Sequence, residues 1–230
     1  MSDAQLRELE PGTVETFIEK LPKYFTMAIA SKRNSGKTYL ISQLIKTLLK
    51  QKKVDIVLVM TNSFGLNRDY EFLPPGVVMK FSEKVLNSLW ERQKKTPIPD
   101  RDHVLIVLDD VLSDKDAVRS EVVTRVYALG RHASISICCA SQVANHLLTP
   151  VMKQNSDMIA WSRLNRTQLL HIWESTNGLS SKSFIRWAEL FGGVHYNFCV
   201  FDNYTDKGAP EEYLSVIRAS APAEKSKPKV

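Results

Sequence analysis

The residues best suited to chemistry in this chain are Ser31-Lys32-Arg33-Asn34-Ser35-Gly36-Lys37-Thr38. A short apolar run, Phe25 to Ala30, precedes them, and an amphipathic pattern follows. That order suits a phosphate-binding loop. Backbone N–H groups of the loop and of the helix N-terminus converge on an anion, the Lys ammonium reaches the β- and γ-phosphates, and the Thr hydroxyl takes a place on Mg²⁺. The pattern G-x-x-x-x-G-K-[ST] asks for Gly where Ser31 stands, so the motif departs at its first position. Gly-Lys-Thr at a helix start also fits a plain capped helix with an exposed Lys, and the rest of the chain must decide.

Two further stretches bear on that decision. His103-Val-Leu-Ile-Val-Leu108 runs directly into Asp109 and Asp110. Adjacent carboxylates at the end of an apolar run are costly unless compensated, and a metal compensates them. Asp109 has the position of an Mg²⁺-coordinating acid, and Asp110 that of the neighbour that orients or deprotonates an attacking water. Aspartate is one methylene shorter than glutamate, so metal binding by Asp109 is the firmer role. The competing reading is an acidic turn that caps a helix at Ser113 or Asp114. Gln142 follows the apolar run Ser134 to Ala140, where it senses the γ-phosphate or holds the lytic water, or else shares a helix cap with Ser141. Arg119, Arg125, Arg131, Arg163 and Arg166 are candidates for the transition-state charge of phosphoryl transfer. Arg131 stands out because Gly130-Arg131-His132 lies between a helix and a core strand. Lys32 and Arg33 add positive potential at the loop.

The elements that position these residues follow from periodicity. Leu40, Ile41, Leu44, Ile45, Leu48 and Leu49 recur at helical spacing from Gly36 to about Lys50, with Lys50-Gln-Lys-Lys53 at the end that favours cations. Val54 to Thr61 is a β-branched run of the kind covered on both faces in a parallel sheet. Strand, loop, helix and strand make one βαβ unit, with the loop at the edge where open sheets bind ligands. Residues 62–75 read as an irregular loop and Val77 to Phe81 as a short strand, and Ser82 caps a helix through Gln93. A linker at 96–100 leads to the acidic strand. A helix to Leu129 follows, with Val118, Val122, Val126 and Leu129 on one face. Asp157 to Trp161 is a strand, Thr167–Glu174 and Ser181–Leu190 are helices, and His195 to Phe201 is the last strand, at an edge or antiparallel. The fold class is therefore α/β: a mainly parallel P-loop sheet with helices on both faces. Residues 1–24 form an N-terminal docking segment, 25–218 one domain, and 219–230 a disordered basic tail.

Lys+Arg 31 against Asp+Glu 25 gives a net charge of +6, which fits a phosphate-rich partner without requiring one. Three cysteines make no disulfide framework, and the adjacent Cys138 and Cys139 should face opposite sides of a strand as buried thiols. No membrane-spanning run and no apolar signal core are visible, which reads as a soluble intracellular protein. The five histidines are too scattered for a metal cluster, and Trp161, Trp173 and Trp187 read as core. Lys153, Arg163, Arg166, Lys182 and Arg186 are candidates for a DNA-facing surface.

Five ordered stretches resemble a known family: Ala30 to Thr38, Asn67 to Pro74, Val107 to Asp110, Gly130-Arg-His132 with Ile135-Ser-Ile137 and Ser141-Gln142, and Asn155-Ser-Asp157. Over about residues 25–163 the chain resembles the genome-packaging ATPases of large double-stranded DNA viruses, P-loop motors of the FtsK–HerA superfamily. The resemblance implies a RecA/FtsK–HerA-like fold and an Mg²⁺- and ATP-dependent translocase that pumps double-stranded DNA into a preformed capsid. It also implies capsid proteins as partners and a homo-oligomeric ring, hexameric or pentameric, with a trans-acting arginine. The place of action would be the host cytoplasm or virus assembly site, or the virion. A cellular helicase or plasmid-transfer ATPase keeps the fold with a different task. A regulatory nucleotide-binding module with negligible turnover is the alternative from another class.

Overall fold

In the computed structural model, residues 10–65, 68–111, 117, 120–175, 180–204 and 210–219 are described. The apolar runs become strands: β1 (Thr26–Ser31), β2 (Ile56–Thr61), β4 (Val104–Asp109), β5 (Ile135–Ser141), β6 (Met158–Ser162) and β7 (Asn197–Asp202), with the two-residue β3 (Val78–Met79) and β8 (Leu214–Arg218) beside them. They form one eight-stranded sheet in the order β3-β2-β4-β5-β1-β6-β7-β8. All pairs from β3 to β6 are parallel, and β7 and β8 add two antiparallel steps. The order has one consequence for chemistry. β5 lies between the loop-bearing β1 and the acid-bearing β4, so the ends of all three strands open on the same edge.

Near-continuous burial along these strands requires cover on both faces. On one face α1 (Val14–Glu19) and α2 (Lys37–Lys50) pack Val14, Phe17, Ile18, Leu40, Ile41 and Ile45 against Met27, Ile29 and Val107. On the other lie α3 (Glu83–Lys95), α4 (Glu121–Leu129), the short α5 (Ala144–Leu147) and α6 (Pro150–Asn155), α7 (Arg166–Trp173) and α8 (Ser181–Gly192). Trp161 and Trp187 are fully enclosed there, 5.7 Å apart edge to face, and Trp173 packs at the margin. Cys138 and Cys139 fall in opposite layers, as alternation along a strand demands. Burial pushes the Cys138 thiol up to about 12 and raises Cys139 and Cys199 as well. All three are therefore protonated, inert thiols at neutral pH. Among the described residues no helix is long and apolar enough to cross a membrane.

Several expectations change. β7 is not the last strand: β8 follows, pairs antiparallel to it, and buries Leu214, Val216 and Ile217. β7 is therefore internal rather than at an edge, and it is antiparallel, the other position the alternation allowed. The helix before Leu129 begins at Glu121, where the Ser120 side chain accepts a hydrogen bond from Val123 N. The proposed caps Ser113 and Asp114, together with Val118, lie outside the described residues. Val122 and Val126 are buried, but Leu129 is 47% exposed, because the helix tightens into a 3₁₀ turn at Gly130–Ala133 and rotates it outward. The tail from residue 220 onward also lies outside the described residues.

One buried polar group gives the fold a pH dependence. His103 Nε2 is 2.8 Å from Ser136 Oγ, and its ring meets Tyr24 edge to face. Burial pushes the imidazole below its ordinary 6.5, against the opposing pull of a backbone contact at Lys53 and of Asp55. A depressed folded value means the stabilisation is complete above about 6.5 and is lost as pH falls through the lower folded value. The melting temperature should therefore fall on acidification below about pH 6.5, and His103→Gln should flatten that part of the profile. An unchanged slope in the variant assigns the effect elsewhere.

Candidate phosphate-binding site

The loop after β1 turns through two left-handed residues separated by Ser35. Ser31 is the last residue of β1, in register with Ser162 on β6, and its backbone is ordinary strand. No glycine is needed at that position, which removes the conformational objection to the motif's first residue. The left-handed positions are Asn34 (φ 60°) and Gly36 (φ 93°), types that tolerate this region. Gly36 also faces a close neighbour: a Cβ there would lie 2.5 Å from Tyr196 Cδ1. Ser35 Oγ is buried without a hydrogen-bond partner among the described residues. α2 then starts at Lys37, with its first N–H groups turned toward the loop.

The acidic strand delivers its side chains to the same place. Asp109, 2% exposed, closes β4, and Asp110 follows in a left-handed conformation (φ 59°), its N–H donating to Ala140 O on β5. Lys37 Nζ forms an ion pair with Asp110 Oδ1 and stands 3.2 Å from Asp109 Oδ1. The latter approach is a charge contact only, since that buried oxygen accepts no hydrogen bond. Asp109 Oδ2 accepts from Thr38 Oγ1 at 3.1 Å and from Tyr70 OH at 2.9 Å. Burial, then the Asp109 charge, raise the Tyr70 phenol far above its usual range, so it stays a donor. Gln142 Nε2 reaches Asp110 Oδ2 at 3.3 Å, and the Gln142 carbonyl accepts from Gln168 Nε2. The Ser141 hydroxyl accepts from Val143 N as a turn cap, leaving the Gln142 side chain to the cleft.

These groups line a single cleft of about 790 Å³ that includes Lys32, Arg33, Asn34 and Ser35 of the loop, Lys37, Thr38, Asp109, Asp110 and Gln142. The structure thus brings together every residue singled out at the loop, the acidic strand end and the β5 end, except that Ser31 lies beneath the loop rather than in the cleft. Arg131 is not brought there. It sits in the 3₁₀ turn ahead of β5, lining a second cavity of about 480 Å³ with Thr26 and Asp157. Thr26 begins β1, so Arg131 lies at the opposite edge of the sheet, roughly 20 Å from the loop at about 3.3 Å per strand residue. Arg163 follows β6 at the loop's own edge, exposed and left-handed (φ 53°). Arg119 lies outside the described residues. Sequence reasoning assigned no role to Tyr70, Asn62, His195 and Tyr196, all of which touch or line the site. They arrive from loops, with no periodic signal to announce them.

Loop, helix N-terminus, paired acids and polar strand end, on a mostly parallel sheet with this strand order, define a P-loop nucleoside triphosphatase fold. Solved structures agree on the fold. The genome packaging NTPase B204 from Sulfolobus turreted icosahedral virus 2, in complex with ATP-gammaS, superposes with a TM-score of 0.61 at 15% identity, covering 86% of this chain and 98% of that one. The pCW3 conjugation coupling protein TcpA gives 0.60 at 15% identity over 86% of this chain and 60% of its own. The cytoplasmic domain of the Thermomonospora curvata type VII secretion ATPase EccC gives 0.57 at 10% identity over 87% and 24%. No curated protein matches the chain. The chain belongs to the Poxvirus A32 protein family, whose model matches residues 16–162.

Proposed function

We infer that this chain is the ATP-hydrolysing motor of a viral genome-packaging machine, moving double-stranded DNA into a capsid. The observation that carries the reading is the convergence of Lys37, Thr38, Asp109, Asp110 and Gln142 in one cleft within a member of the A32 family. The likeness to a packaging NTPase over nearly its whole length supports it.

Each residue has a role that its chemistry fits. The loop N–H groups and the helix start cradle the phosphates, and Lys37 exchanges its carboxylate partners for β- and γ-phosphate oxygens. Asp109 Oδ1, buried with no hydrogen bond, and the Thr38 hydroxyl beside Oδ2 are the hard oxygen donors that Mg²⁺ takes. Mg²⁺ bound there would neutralise charge developing on the phosphates. Asp110, a third exposed in its side chain, faces the cleft as the group that orients or deprotonates the attacking water. Gln142 fixes that carboxylate from the neighbouring strand end and senses the terminal phosphate. Arg131, too far to serve its own site, completes the site of a neighbouring copy in a homo-oligomeric ring.

Steady-state hydrolysis of ATP with Mg²⁺, measured with and without duplex DNA, tests the reading. Turnover stimulated by DNA is expected, together with association of the protein with capsid protein. Absence of turnover in both conditions favours a regulatory nucleotide-binding module. Turnover without capsid association favours a conjugation-type translocase, a fold that TcpA shares.

Tyr70 offers a finer test. Its hydroxyl holds Asp109 Oδ2, and groups that orient a metal-binding carboxylate typically matter 10- to 100-fold in metal affinity or activity. Tyr70→Phe should raise the Mg²⁺ concentration for half-maximal hydrolysis by about that factor, with ATP saturation less affected. A superimposable Mg²⁺ curve excludes the role.

A further inference from the structure

Beyond the phosphate grip, one end of the cleft is aromatic. Among the described lining residues the ring-bearing side chains are Tyr39, His195 and Tyr196 alone. We propose that His195 and Tyr196, with Tyr39, form the platform on which the base of the nucleotide stacks, making the site selective for purine nucleotides. The proposal rests on the phosphate-site reading above and extends it to the other end of the ligand.

Direction argues for it first. The groups assigned to the terminal phosphate lie on β4 and β5, to one side of β1. The turn between α8 and β7, which carries His195 and Tyr196, lies to the other side, beyond β6. A triphosphate held by the loop between them points its γ end toward Asp110 and Gln142. Its sugar and base must then leave toward the aromatic end.

Tyr196 is also held in an uncommon backbone conformation. It is a bulky residue in the left-handed region (φ 64°), a conformation that persists where surrounding structure enforces it and that clusters at ligand sites. Its carbonyl accepts from Ala219 N at 3.0 Å, and the adjacent Asn197 N is tied to Val194 O at 3.2 Å. The ring lies so close on Gly36 that no side chain fits there. The ring is thus in direct contact with the phosphate loop at Gly36. His195 meets Tyr196 edge to face at 4.3 Å and Tyr39 does so at 6.1 Å, giving an aromatic corner at that end of the cleft. Stacking on such a corner strengthens with π-surface and so favours a purine over a pyrimidine.

Equilibrium binding of ATP, CTP and inorganic tripolyphosphate to the full chain separates base from phosphate. The wild type should bind ATP more tightly than CTP, and CTP more tightly than tripolyphosphate. Tyr196→Ala should weaken ATP by about 5- to 100-fold while leaving tripolyphosphate unchanged. Tyr196→Phe should recover most of the loss, and His195→Ala should show a smaller loss in the same sense. Should Tyr196→Ala fail to fold, the wild-type ligand series and the exposed His195 variant decide the matter. Equal weakening of ATP and tripolyphosphate by Tyr196→Ala overturns the proposal, since the ring would then only shape the loop. Equal wild-type affinity for ATP and tripolyphosphate overturns it too, while sparing the phosphate site. A wild type that binds neither overturns both readings.

Discussion

Lys37→Ala should hydrolyse ATP at least about 10²- to 10³-fold more slowly than the wild type, the loss seen when one preorganised charge aimed at a transition state is removed. The expectation follows from where the ammonium sits. It is 7% exposed, ion-paired with Asp110 and 3.2 Å from Asp109, at the first residue of α2. Alanine removes the positive charge that both carboxylates and any phosphate oxygen in the cleft depend on. It also leaves Asp109 buried with one oxygen lacking a counter-charge, so some loss of thermal stability should accompany it. The melting temperature separates the two effects, because a folded variant with no turnover isolates the chemistry. Hydrolysis at the wild-type rate would falsify the site assignment.

Arg131→Ala should lower turnover in the assembled protein by about 10³- to 10⁵-fold, the range for a finger arginine, with ATP binding nearly intact. The two halves of that prediction come from one distance. Arg131 stands at the far edge of the sheet from Lys37, so it contributes nothing to nucleotide affinity in its own chain. A mixing experiment makes the test sharp. Chains carrying Lys37→Ala combined with chains carrying Arg131→Ala should regain part of the activity, because some interfaces then pair an intact loop with an intact arginine. No recovery in well-formed mixed assemblies removes Arg131 from the reaction. Burial raises the Asp157 carboxyl above its ordinary range, against the hydrogen bonds from Thr26 and the charge of Arg131, so a melting curve of the variant should accompany the kinetics.

The parts of this site that sequence made legible share one physical property: each ends a strongly apolar strand. The runs before Ser31, Asp109 and Ser141 are buried along nearly their whole length, and burial on both faces writes itself as continuous hydrophobicity. Ser31 was off-pattern in sequence and harmless in structure, because the glycine-demanding backbone falls at Asn34 and Gly36 instead. Tyr70 lies in the family-like stretch Asn67 to Pro74, but its role was not legible because its contact with Asp109 spans 39 residues and starts in an irregular loop. Tyr196 was hidden because it looks like the opening of a strand, and only a dihedral angle and the neighbouring Gly36 distinguish it. β8 escaped because five residues of mixed burial carry too little pattern to read. Arg131 was singled out by its neighbours in sequence, yet its remoteness from Lys37 required the sheet order.

The two margins of the sheet bear on how copies can meet. On one side β3 offers only two residues. On the other, β8 is overlaid by the segment before α1, where Gly12 N donates to Val216 O and Gly12 O accepts from Arg218 N. Among the described residues neither margin presents a long row of open peptide groups, which discourages joining by strand addition. Association of copies is left to the helical faces and to the two ends of the strands. An end-to-end meeting is unlike on its two sides, so it propagates around a closed circle or along a filament rather than stopping at a two-fold pair.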